Sequence, residues 1–61
     1  MTDYDRILLE AAKMPDSELW ETVDGYTAIT IYTSDYTAKE YFFDAFGNLV
    51  ETHEINEYPK L

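Results

Sequence analysis

Between Tyr4 and Met14 the apolar residues Tyr4, Ile7, Leu8, Ala11 and Ala12 recur at i, i+3, i+4, i+7 and i+8, the spacing of one stripe on a helix. The pattern predicts a helix over 4–14. Thr2 or Asp3 suits its N-cap, Asp3 and Asp5 complement the positive end of its dipole, and Pro15 stops it. Its polar face carries Asp3, Arg6, Glu10 and Lys13, spaced for Asp3–Arg6 and Arg6–Glu10 pairs.

Beyond the turn residues Pro15-Asp16-Ser17 the pattern changes to β-branched and aromatic enrichment on both sides of Asp24-Gly25, a strong hairpin signal. A two-residue type I′ turn there pairs strands Leu19–Val23 and Tyr26–Tyr32. Leu19-Trp20-Glu21 also fits a short helical turn begun by Asp16 or Ser17. Thr33-Ser34-Asp35 makes the next turn, Tyr36–Phe43 the next strand, and Asp44-Ala45-Phe46-Gly47-Asn48 a type I turn closed by a left-handed glycine. The chain then returns as Leu49–Ile55, with 57–61 as an irregular tail. This is an α+β fold: one N-terminal helix packed on a three- to four-stranded antiparallel β-meander, a single small acidic domain over 1–61.

Turns with loops of two, three and three residues project Trp20, Ile29, Ile31, Tyr41, Phe43, Leu49 and Ile55 toward the helix as the expected core. The same register places Val23, Tyr26, Phe42 and Val50 on the opposite side, near Tyr32 and Tyr36, with Glu21, Glu40 and Glu54 among them. One helix covers only one face of a sheet. The uncovered aromatic row is therefore expected to be an association surface.

Composition sharpens that expectation. The 61 residues hold 13 Asp+Glu against 4 Lys+Arg, a net charge of −9. A chain of this length buries about 60% of its unfolded surface, so its core is thin. At 46% hydrophobic and 16% aromatic it is nevertheless too apolar for an acidic disordered tail. There is no cysteine, hence neither disulfide nor thiolate zinc site. The acidic start, Met1-Thr2-Asp3-Tyr4-Asp5, does not read as a secretory signal, and no apolar run approaches the roughly 20 residues of a spanning helix. A soluble, cytoplasmic protein is expected. So negative a surface repels DNA, RNA and anionic membranes alike.

Catalytic chemistry finds little footing. His53 is the one histidine, and Ser17 and Ser34 lie in predicted turns where hydroxyls bond local backbone, so no nucleophile–base arrangement is expected. The carboxylate pairs Glu51 with Glu54 and Glu40 with Asp44 lack the concavity that would raise one pKa. Neither an EF-hand pattern nor a Gly-rich phosphate loop is present. No enzyme, cofactor or metal site is expected.

The acids are spread unevenly: Met14–Ala38 and Glu40–Pro59 each contain five or more and no Lys or Arg, leaving the helix nearly balanced and the sheet anionic. The expected function is a non-catalytic inhibitor that occupies a basic, nucleic-acid-binding surface of a partner protein. Carboxylates would stand where phosphates lie and aromatic rings where bases stack. The candidate charges are Glu21, Asp24, Asp35, Glu40 and Glu54; the candidate anchors are Tyr26, Tyr32, Tyr36 and Phe42. In size and charge the chain resembles small acidic phage and plasmid proteins that block restriction enzymes, CRISPR effectors or uracil-DNA glycosylase. The resemblance is one of composition alone, without a shared motif. The alternative is a homodimeric structural or regulatory module that buries the aromatic face between two copies.

Overall fold

Thr2 opens the helix by a reciprocal capping box: its hydroxyl accepts from the Asp5 amide at 3.1 Å, and its own amide donates to the Asp5 carboxylate at 3.3 Å. The structure, a computed structural model, describes residues 1–14 and 16–56. The stop at Pro15 and the tail at 57–61 lie outside the described residues. The elements are α1 (Asp3–Ala11), β1 (Ser17–Glu21), β2 (Thr27–Tyr32), β3 (Ala38–Phe43) and β4 (Leu49–Ile55). Helix α1 ends earlier than the stripe implied. Its last turn tightens through Lys13 and Met14 amides donating to Glu10 and Ala11 carbonyls, and the Ser17 hydroxyl also donates to Ala11. Of the two expected ion pairs, Asp3–Arg6 forms, at 3.4 Å and exposed.

The strands form one antiparallel meander in the order β1-β2-β3-β4, as the α+β reading requires. Helix α1 covers one side. Ile7 and Ala11 meet Ile29, Ile31 and Phe43, with Tyr4, Leu8, Tyr41 and Leu49 packed around them. Tyr4 sets its ring edge-on to Phe43 at 5.2 Å. Each fully buried Ile or Phe here contributes on the order of 1.5–3 kcal/mol by leaving water.

Two features of register differ from expectation. The first hairpin closes with three loop residues: the Thr22 amide donates to Tyr26 and the Gly25 amide to Thr22, with Gly25 at φ +89°. A three-residue loop needs one residue in the left-handed region, whereas type I′ needs two, and only glycine adopts it without penalty. The pairing becomes Trp20↔Ala28 and Leu19↔Ile29, so Leu19 faces the helix and Trp20 does not. In β4, Phe43 pairs with Leu49 but Phe42 pairs with Glu51, leaving Val50 as a bulge. Everything after Val50 changes face, and Ile55 leaves the expected core for the open side opposite Ala38. Strands β1, β2 and β3 also differ at their ends, since Thr22, Val23, Tyr26, Tyr36 and Thr37 belong to the loops.

Candidate functional site

The corrected register lays out the uncovered face as rows across the strands. One row runs Trp20, Ala28, Phe42, Glu51; the next Glu18, Thr30, Glu40, His53; the last Tyr32, Ala38, Ile55. Ala28 decides the character of the first. Having only a methyl group, it lets the flanking rings of Trp20 and Phe42 close over it at 5.8 Å, edge to face, and is itself fully buried. Trp20 then reaches diagonally to donate its indole Nε1–H to Thr30 Oγ1 at 2.9 Å, which satisfies a hydroxyl 2% exposed. On the other flank the His53 ring tilts against Phe42 at 5.3 Å. Trp20, Phe42 and His53 thus make one aromatic strip crossing the sheet, and Trp20 remains 38% exposed.

The charges on this side are of one sign. Glu18, Glu40 and Glu51 lie in the rows, and the described Lys and Arg residues, Arg6, Lys13 and Lys39, belong to the helix layer or the helix-facing side. Lys39 is joined there by Glu54 at 3.6 Å. His53 Nε2 is hydrogen-bonded to Glu51 Oε2. At the end of the sheet beside the first hairpin, Thr22, Asp24, Tyr26, Phe42, Val50 and Glu51 line a shallow notch of about 340 Å³.

The residues expected from sequence divide accordingly. Tyr26, Tyr32, Phe42 and Glu40 lie on the open face, and Asp24 stands at the lip of its notch. Glu21 and Glu54 do not: they pair with Thr27 and Lys39 on the helix-facing side, moved there by the same two register changes that moved Trp20 and Ile55. Asp35 and Tyr36 sit in the second loop, beyond the last row, with Tyr36 69% exposed. Missing from the expectation were Trp20, Glu18, Glu51 and His53. A two-residue first loop puts Trp20 on the helix-facing side, and without the bulge at Val50 Glu51 and His53 fall there too.

Two carboxylates have pKa values held below the ordinary range, and both belong to the scaffold. Asp3 is lowered chiefly by the Leu49 amide, which donates to Oδ2 at 3.0 Å, and further by Arg6. Asp44 is lowered chiefly by the Asn48 amide and then by the Phe46 amide, each donating to Oδ1 at 2.9 Å. Asp3 fastens the helix start to β4, and Asp44 closes the third turn on itself. Among the described residues no group of three or more His, Cys, Asp or Glu is placed to hold a metal ion, and no helix is long and apolar enough to cross a membrane. Comparison with protein-family models, with curated proteins and with solved structures finds no match to this chain.

Proposed function

We propose that this protein is a non-catalytic binding module that docks its open sheet face onto a basic, nucleic-acid-binding surface of another protein and so excludes the nucleic acid. One observation carries the reading. A strip of aromatic rings lies among Glu18, Glu40 and Glu51 on a face with no Lys or Arg among the described residues. Rings supply rigid contact area of the kind that anchors interfaces. Glu18 and Glu40, two strand spacings or roughly 10 Å apart in one row, and Glu51 in the next row, spread negative charge over the face that a basic surface can meet in place of phosphates. The described cations Arg6, Lys13 and Lys39 all belong to the helix layer or the helix-facing side, which leaves the open side as the one a basic surface would attract.

The test is displacement of a labelled DNA duplex from a panel of restriction endonucleases, CRISPR effectors and uracil-DNA glycosylase. At least one is expected to release its duplex, with the protein–protein affinity falling tenfold or more between roughly 50 and 200 mM salt. Retention of the duplex by every member, or an affinity indifferent to salt, overturns the reading. Sedimentation at micromolar concentration completes it: a dimer that shields Trp20 from quenchers would make the face a self-association surface instead. Two such faces would set Glu18, Glu40 and Glu51 against their own copies, and like charges disfavour that union.

A further inference from the structure

The notch at the hairpin end of the open face has a composition the rest of the face lacks. Its lining includes two aromatic rings, Tyr26 and Phe42, a branched aliphatic side chain, Val50, and two carboxylates from separate elements, Asp24 in the first loop and Glu51 in β4. Phe42 is fixed by Trp20 and His53 on either side. Glu51 is oriented by His53 through one oxygen, and its other oxygen, Oε1, makes no hydrogen bond among the described residues. Asp24 has no side-chain hydrogen bond or ion pair among them.

Resting on the docking reading above, we propose that this notch receives one arginine side chain of the partner. An arginine has the complementary parts. Its methylene stem lies on Val50 and the ring edges. Its planar guanidinium stacks on an aromatic face while donating in its own plane to carboxylates on two sides. Lysine offers a point charge without a plane to stack, so the notch prefers arginine. The space, about 340 Å³ and open to solvent, admits a single extended side chain from a facing surface.

The test needs no partner. The protein is titrated with N-acetyl-arginine amide, and with N-acetyl-lysine amide as comparison, and followed by amide NMR shifts together with Trp20 fluorescence. Shifts are expected at Thr22, Asp24, Tyr26, Val50 and Glu51, with arginine binding more tightly than lysine. The double variant Asp24→Asn/Glu51→Gln, both exposed and nearly isosteric, is expected to weaken arginine binding about tenfold or more. Glu18→Gln/Glu40→Gln, the same charge change elsewhere on the face, is expected to leave it within about twofold. Phe42→Leu, which keeps apolar bulk, is expected to abolish the preference over lysine. Equal losses in the two double variants, shifts outside the notch, or equal binding of lysine each overturn the assignment. Because the titration is performed on the protein alone, a notch that binds arginine while no enzyme releases its duplex refutes the docking reading and not this one.

Discussion

A Cβ built on Gly47 would come within 3.1 Å of both Cβ and Oγ1 of Thr2, whereas one built on Gly25 meets nothing within 4 Å. Both glycines have positive φ, +84° and +89°, and both close three-residue hairpin loops. Backbone strain therefore acts at each, roughly 1–2 kcal/mol for a side chain in that region. Only at Gly47 does a steric cost add to it, and there it falls on the N-cap hydroxyl, whose loss costs about 1 kcal/mol more. Gly25→Ala is expected to lose about 1–2 kcal/mol and Gly47→Ala about 2–3 kcal/mol in urea unfolding. Equal losses would show that Thr2 yields without disturbing its cap. The same sensitivity to one methyl group explains Ala28, whose smallness lets Trp20 and Phe42 meet above it.

Between elements, the helix is tied to the sheet at both ends, by the Ser17 hydroxyl at its last residue and more extensively at its first turn. The Tyr4 amide donates to the Gly47 carbonyl at 3.0 Å, and the Leu49 amide to Asp3. Asp3 and Asp44 both have pKa values lowered in the fold, first by backbone donors. Groups so lowered stabilise the fold above the unfolded carboxylate value, near 3.9, and that contribution is lost as pH falls through the folded values. Stability should accordingly fall as pH drops below the ordinary carboxylate value, and Asp3→Asn and Asp44→Asn should each flatten that fall. Acid titrations of near-UV circular dichroism measure it; an unchanged slope in both variants would mean these hydrogen bonds do not discriminate the ionised form. The elements themselves were legible: the stripe from Tyr4 marked the helix, and β-branched and aromatic enrichment between turn residues marked the strands. The register was not. Asp24-Gly25 serves a two-residue or a three-residue loop equally well by composition, and a bulge at Val50 leaves no side-chain signature because any residue can be the extra one. Each ambiguity exchanges the faces of a strand segment. Tyr32, Glu40 and Phe42 on β2 and β3 lie outside both ambiguities and keep their face, whereas Trp20 and Glu21 before the first turn and Glu51 and Glu54 after the bulge exchange theirs.

At the scale of the whole molecule, a charge of −9 on 61 residues acts against the fold while it draws in a basic partner. Glu18 and Glu40 make this concrete, standing on either side of Thr30 in one row with no described Lys or Arg on that face. They are two strand spacings apart, close to a Debye length of about 10 Å at 0.1 M salt. Their mutual repulsion is thus strong in dilute buffer and screened in concentrated salt. Two trends of opposite sign result: the free protein becomes more stable as salt rises, and its hold on a basic surface weakens. Glu18→Gln/Glu40→Gln should reproduce both at low salt, raising Tm by roughly 1–3 °C while weakening the partner complex several-fold. Thermal melts at about 20 and 500 mM salt, with and without the double substitution, test it, and the gain in Tm should shrink at the higher concentration. A face whose glutamates stabilise the isolated protein would lower Tm on substitution instead. The acids would then serve the fold and its solubility, and the attraction toward a basic partner would have to come from elsewhere on the molecule.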